Sequence, residues 1–154
     1  MRNKPILLIP CLIIHGLLVS CDDSTSKNST NSKSNNSASP SNELSIQITA
    51  PGDNASVDWR PTVQGTVSDP NATVWVVVHP VNTGGYWVQP SVGVDGDGKW
   101  RVQIYVGRAP DADVDVHFEI MAVAQPKANL KEGDVLSAWP TAEAKSQVIA
   151  VIRK

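Results

Sequence analysis

The chain has 154 residues, with 13 Lys or Arg, 15 Asp or Glu and a formal net charge of −2. This length fits one domain of ordinary size. The basic residues are scattered and outnumbered by acidic ones, so we expect no nucleic-acid partner, which would require a basic patch. The only cysteines are Cys11 and Cys21. The sequence after Cys21 can therefore form neither a disulfide nor a thiolate metal site.

The first 20 residues have the parts of an export signal. Arg2 and Lys4 precede an apolar run at residues 6–19, and the small Ser20 follows it. A transmembrane helix needs about 20 apolar residues, and this run has only 14. We therefore predict a signal peptide over residues 1–20 rather than a permanent membrane span.

The end of this run has the composition of a lipid-attachment site. The residues Leu18-Val19-Ser20-Cys21 resemble the lipobox of bacterial lipoproteins. The resemblance implies lipid transfer to the Cys21 thiol, cleavage before Cys21, and palmitate-type anchoring on the extracytoplasmic side of the cell membrane. Two or three acyl chains hold a protein on a bilayer far more firmly than one. In a Gram-negative host, Asp22 after the cysteine implies retention at the periplasmic face of the inner membrane.

Residues 21–43 comprise Cys21 and a Ser/Asn-rich linker, in which Ala38 is the only apolar side chain between positions 22 and 42. Such a segment cannot offset the entropy lost on ordering, so we predict disorder. Its mean span is about 25 Å and its limit about 70 Å. A tether of this kind would let the domain reach wall polymer, a partner or a substrate. A plain spacer is the simpler interpretation.

From Leu44 onward, apolar residues recur with a period near two, and turn-forming residues interrupt the pattern about every ten positions. This pattern predicts strands. They are expected at residues 44–50, 62–67, 73–79, 86–89 or on to 94, 99–106, 114–124 and 146–152. Residues 125–145 do not fit it. Seven short strands without a long amphipathic helix predict an all-β, two-layer antiparallel sandwich over residues 44–154.

The segment at residues 73–79 is apolar on both faces of the predicted strand. One face carries three valines: Val74, Val76 and Val78. The other carries Trp75 and Val77. This predicts a central strand with one face in the core and the other partly covered by a loop. We expect Trp75 to be a core residue, and likewise Trp100, whose ring should lie on one face with Val102 and Ile104.

Several short motifs mark the predicted strands and turns. They are Ile48-x-x-Pro51-Gly52, Val63-x-Gly65-x-Val67, Val74-x-Val76-x-Val78, Asp97-Gly98-x-Trp100-x-Val102, Phe118-x-Ile120-x-Ala122-Val123-Ala124 and Val148-x-Ala150-x-Ile152. Their arrangement resembles the bacterial immunoglobulin-like modules of surface and secreted proteins. The resemblance implies an immunoglobulin-like sandwich of about seven strands that lacks the disulfide of antibody domains. It assigns no function, since this architecture supports many.

No pattern in the sequence points to catalysis. A nucleophile elbow, a spaced pair of metal ligands and a phosphate loop are all absent. The segment Asp95-Gly96-Asp97-Gly98 alternates oxygen ligands with glycines, but an EF-hand loop requires a Glu at its twelfth position, where Val106 stands. We predict a hairpin turn there. We expect no enzyme activity, catalytic residue, metal or cofactor.

The aromatic composition is unusual, with five tryptophans and one phenylalanine. Four aromatic residues lie in irregular segments or beside a turn: Trp59, Tyr86, Trp87 and Trp139. Exposed rings could stack on sugars, because the apolar face of a pyranose matches an aromatic face. The simpler interpretation is that they cover loop edges of the sandwich. Two functions therefore remain: a membrane-anchored, non-catalytic interaction or structural module with an envelope partner, and a carbohydrate-binding module using these four contacts.

Overall fold

The computed structural model describes residues 43–109 and 111–154. The predicted signal peptide, Cys21 and almost all of the predicted linker lie outside the described residues. Within the described ranges the secondary structure is all β. None of these residues form a helix that could span a membrane.

Eleven strands are formed by the described residues. In chain order they are β1 (Ile46–Ala50), β2 (Ala55–Val57), β3 (Thr62–Val67), β4 (Val74–Pro80), β5 (Tyr86–Val88), β6 (Gly93–Val94), β7 (Lys99–Gln103), β8 (His117–Pro126), β9 (Val135–Leu136), β10 (Ala142–Lys145) and β11 (Ile149–Arg153).

The strands form two sheets with the order expected of an immunoglobulin-like sandwich. The four-stranded sheet has the order β1-β3-β7-β6. The seven-stranded sheet has the order β2-β11-β8-β4-β5-β9, and β10 pairs with β8 beside this path. In immunoglobulin terms, the first sheet places its strands at positions A, B, E and D, and the second places β11, β8 and β4 at G, F and C. The predicted all-β sandwich is confirmed, but β2 and β11 pair in parallel, so the seven-stranded sheet is mixed rather than wholly antiparallel.

The main core lies between the two sheets. Trp100, Val102 and Ile104 are all buried in it, which confirms the register predicted for β7. Trp100 lies opposite Gly65 of β3. A Cβ atom at position 65 would overlap the Trp100 ring and the Gln47 carbonyl oxygen. A glycine at position 65 therefore leaves room for the largest side chain of the core.

A second apolar cluster lies on the outer face of the seven-stranded sheet. Its buried members are Val77, Val88, Met121, Val123 and Leu130. Trp75, Tyr86, Leu136, Trp139 and Ala142 pack against them. The segment 125–145, which had no strand pattern, covers this face and contributes β9 and β10. As predicted, β4 is a central strand with one face in the core and the other covered by a loop.

Several predicted elements differ from the structure. The strand expected from Tyr86 to as far as Val94 is two strands, β5 and β6, in different sheets. The chain crosses between the sheets around Pro90, which has no N–H to continue a ladder. Trp75 is partly buried in the outer cluster rather than in the main core. The short strands β2, β9 and β10 were not predicted, since two to four residues are too few to show alternation.

Candidate functional site

A cleft of about 610 Å³ is lined by residues between Val78 and Phe118, from β4, β5, β8 and the loops beside them. Its volume falls within the roughly 300–1,000 Å³ typical of ligand sites. Val78 of β4 and Phe118 of β8 form an apolar floor, and each is only 2% exposed. Two aromatic side chains that line it, Trp87 and Tyr105, are by contrast 46% and 40% exposed. The cleft therefore combines a fixed apolar base with accessible aromatic surface.

Trp87 lies in the cleft because of the alternation of β5. Trp87 pairs with Val78 of β4, so their side chains lie on the same face of the sheet. Its neighbours Tyr86 and Val88 turn to the opposite face and join the outer cluster. On its other side Trp87 pairs with Val135 of β9, which is 52% exposed. The Trp87 indole thus belongs to an exposed apolar surface, whereas the side chains of Tyr86 and Val88 pack in the outer cluster.

Tyr105 is held in place by the backbone that follows β7. Ile104 N–H donates to the Pro61 carbonyl at 3.0 Å and Val106 N–H donates to the Trp59 carbonyl at 2.9 Å. Both Ile104 and Val106 are fully buried. Alternation therefore turns the intervening Tyr105 out of the core. Its exposure results from a fixed register and not from a loose loop.

Gln89 joins the two aromatic positions. It is a buried polar residue, 5% exposed, that also lines the cleft. Its side-chain oxygen accepts a hydrogen bond from Tyr105 N–H at 2.7 Å, and its Nε2 donates to the Trp87 carbonyl at 3.2 Å. A buried amide with both of its polar atoms hydrogen-bonded fixes local geometry. Gln89 thereby sets the relative position of the segments that carry Trp87 and Tyr105.

The rim of the cleft is polar. Asn82, Thr83, Arg108 and Asp113 are among the residues that line it. The Arg108 guanidinium donates to both oxygens of Asp113, with Nη2–Oδ1 at 2.7 Å and Nε–Oδ2 at 3.1 Å. These hydrogen bonds and the backbone N–H of Arg108 lower the pKa of Asp113 to about 2. Asp113 is therefore ionised, and its charge is matched by Arg108.

Gly107 allows the rim to approach the floor. It has a φ of +76°, and an added Cβ would lie 3.0 Å from the Asp113 Cβ and 3.1 Å from the Phe118 ring. Only glycine adopts this conformation readily and leaves that space open. The turn therefore depends on glycine at position 107.

Beside the cleft, Arg60 lies against two rings. Its Cζ atom is 4.5 Å from the centroid of Tyr105 and 5.6 Å from that of Trp59. The two rings are 6.0 Å apart and inclined at 51°. Trp59, one of the four predicted contacts, is thus connected to the cleft only through Tyr105. It is not among the residues that line the cleft.

The other two predicted contacts lie on the outer face of the seven-stranded sheet. Tyr86 stacks on His79, with centroids 4.1 Å apart and planes 10° apart, and Trp139 meets Tyr86 edge-on at 4.7 Å. His79 Nδ1 donates to the Gly85 carbonyl at 3.0 Å. All three rings are partly buried. The structure therefore separates the four predicted contacts into Trp87 in the cleft, Trp59 beside it, and Tyr86 with Trp139 elsewhere.

Tyr105 was not among the site residues predicted from the sequence. The signal was present, because Tyr105 alternates with Ile104 and Val106 in a segment whose register was predicted correctly. An aromatic residue on the outward face of that pattern is exposed by the same rule that buries its neighbours. The contribution of Gln89 had no such signal, since it depends on contact between β5 and a segment 16 residues away.

The Asp95–Gly98 segment is the hairpin turn that the sequence predicted. Gly98 N–H donates to the Asp95 carbonyl at 2.9 Å, and Asp95 N–H donates to the Lys99 carbonyl at 2.7 Å. Asp97 pairs with Lys99 Nζ at 2.6 Å. Over residues 43–109 and 111–154, no three His, Cys, Asp or Glu side chains are grouped to hold a metal ion.

No model of a known protein family matches the chain. No curated protein shows significant similarity to its sequence either. The described residues define the class of the domain on their own: an all-β, immunoglobulin-like sandwich with an aromatic-lined cleft.

Proposed function

We propose that this chain is a lipid-anchored protein of the bacterial cell envelope whose sandwich domain binds a ligand in the cleft without catalysing a reaction. The observation that carries the binding role is the exposure of Trp87 and Tyr105 over an apolar floor. Exposed apolar patches in a concave site are typical of interaction surfaces.

The anchoring part of this proposal rests on the sequence. The lipobox-like residues ending at Cys21 follow an apolar run too short for a permanent span. The Ser/Asn-rich segment after Cys21 would then let the domain reach up to about 70 Å from the bilayer. Such a reach suits a ligand that lies away from the membrane surface.

Metabolic labelling tests the anchor directly. Radiolabelled palmitate should enter the wild-type protein in its bacterial host. It should not enter Cys21→Ser, which should be soluble or remain an uncleaved precursor. Absence of label from the wild-type protein would refute the lipoprotein assignment and leave the binding proposal to be tested separately.

A carbohydrate is the ligand class that the cleft favours. Trp87 and Tyr105 present aromatic faces on which a pyranose ring can stack. Asn82, Thr83 and Asp113 add amide, hydroxyl and carboxylate groups around them, which can hydrogen-bond to sugar hydroxyls. A binding module for an envelope protein is the alternative. Exposed Val135 next to Trp87 favours that alternative, because it extends the apolar surface beyond the cleft.

Glycan-array binding separates the two ligand classes. Wild type should bind one or more envelope-type glycans, and Trp87→Ala and Tyr105→Ala should each weaken binding by roughly 10-fold or more, as is usual for central aromatic contacts. Trp139→Ala is the matched control, because it removes an aromatic ring from the outer face. If folded wild type binds no glycan, the carbohydrate proposal fails. If Trp139→Ala alone abolishes binding, the cleft is the wrong site.

A further inference from the structure

We infer that the glycan bound in the cleft carries an acidic group, a carboxylate or a phosphate, and that Arg60 binds this oxyanion. This inference rests on the carbohydrate-binding function proposed above and specifies its ligand. The observations that support it are the position of Arg60 beside Tyr105 and the absence of an anionic partner for Arg60 among the described residues.

The guanidinium of Arg60 is held in one place by packing. Its Cζ atom lies over the Tyr105 ring at 4.5 Å and over the neighbouring Trp59 ring at 5.6 Å, with the two ring centroids 6.0 Å apart. The hydrogen bonds that flank this pair, from Ile104 to Pro61 and from Val106 to Trp59, fix Arg60 directly across from Tyr105. A side chain already fixed in position loses less entropy when it binds a ligand.

The donors of Arg60 are not used inside the described part of the domain. No described carboxylate lies within salt-bridge distance of it, and Asp58, two positions earlier, pairs with Lys154 at 3.6 Å. Its Nε is buried and has no hydrogen-bond partner there. The buried Nε cannot reach a ligand, so the two Nη groups are the donors that would bind a carboxylate or phosphate.

Arg108, the cation that lines the cleft, is already paired. The donors of Arg108 are engaged by both oxygens of Asp113. This pairing also matches the charge of the one carboxylate that lines the cleft. An acidic ligand could therefore pair with Arg60, which has no carboxylate partner among the described residues. It would meet little repulsion from Asp113, whose charge is neutralised by Arg108. Arg60 does not itself line the cleft. It contacts Tyr105, which does, so the inference requires that an acidic substituent of the bound sugar extend past the edge of the Tyr105 ring.

Calorimetric titration of the full chain in detergent micelles with matched probes tests this inference. The probes are a uronic-acid oligosaccharide, its neutral methyl ester, and a phosphodiester-linked glycan fragment of similar length. The acid or the phosphodiester should bind roughly 10- to 100-fold more tightly than the ester, the range expected for charge-assisted hydrogen bonds. Which of the two binds identifies the oxyanion.

Variants then assign the effect to Arg60. Arg60→Gln should bind the acidic probe about as weakly as wild type binds the ester, while its own affinity for the ester should change less than about twofold. Arg60→Lys keeps the charge without the planar fork and should give an intermediate affinity. Arg101→Gln, which removes an equal charge from an exposed position on β7, should match wild type.

The outcomes separate this inference from the function on which it rests. If wild type binds the acid, the phosphodiester and the ester equally, the inference is overturned while glycan binding stands, and this comparison needs no variant to fold. Loss of ester binding in a folded Arg60→Gln would also overturn the inference. Because the ester is neutral, such a loss would mean that Arg60 maintains the structure of the cleft and does not bind an anionic group. If no glycan probe binds wild type, the proposed carbohydrate function fails, and the inference fails with it.

Discussion

Truncation of Trp100 tests the packing on which the domain depends. Its ring is 2% exposed and lies against Gly65 at the centre of the main core. Aromatic-to-alanine changes in cores cost about 3–5 kcal/mol. The Trp100 Nε1 is buried without a hydrogen-bond partner among the described residues. Leaving this N–H buried and unbonded costs about 1–3 kcal/mol in the wild-type protein. The alanine variant avoids that cost, so we expect its free energy of unfolding to fall by about 3 kcal/mol, the lower end of the range for core aromatic residues.

This loss is large beside the roughly 5–15 kcal/mol that stabilises an ordinary domain. For a domain of this size it corresponds to a fall in Tm of about 10–20 °C. Thermal and urea unfolding of residues 44–154, followed by circular dichroism, measures it. Trp87→Ala is the control, because a ring that is 46% exposed should cost only about 1 kcal/mol. Small and equal losses for both variants would refute the assigned register of β7.

Three further predictions concern other parts of the domain. Residues 44–154 expressed alone should give a β-dominated circular dichroism spectrum and unfold identically with and without reductant; a helical spectrum would contradict the fold. Gly65→Ala should lower the urea midpoint sharply, whereas Gly93→Ala, where a Cβ meets open space, should not. The pKa of Asp113 falls from 3.8 to about 2 on folding, so the Arg108–Asp113 pair stabilises the domain above pH 4 and this stabilisation is lost between about pH 4 and pH 2. Asp113→Asn should show a smaller loss of stability over that window in urea unfolding, and an unchanged pH profile would contradict the pairing.

The main strands could be predicted from the sequence because alternation reports which side chains face the core. Trp100, Val102 and Ile104 entered the core as predicted, and β4 is apolar on both faces because both faces are covered. The cover itself could not be predicted. Residues 125–145 form it through contacts with β4 and β5, which are distant in sequence, and their short strands show no repeat.

The candidate site was predictable only in part. Composition and position singled out the aromatic residues that lie in irregular segments or beside a turn, and Trp87 does lie in the cleft. The same rule also selected Tyr86 and Trp139, because the sequence cannot show that these residues, 53 positions apart, pack against one another with His79. Neighbours on a strand point to opposite faces, so the adjacent Tyr86 and Trp87 belong to different surfaces.

The proposed function places the ligand in the cleft and not on the outer face of the seven-stranded sheet. An NMR titration with an oligosaccharide tests this most directly, since each of the five tryptophans gives an indole N–H signal that Trp→Phe variants can assign. The Trp87 signal should shift most and the Trp59 signal less, while the signals of Trp100, Trp75 and Trp139 should stay unchanged. Shifts at Trp75 and Trp139 with Trp87 unmoved would place the ligand on the outer face and refute binding in the cleft.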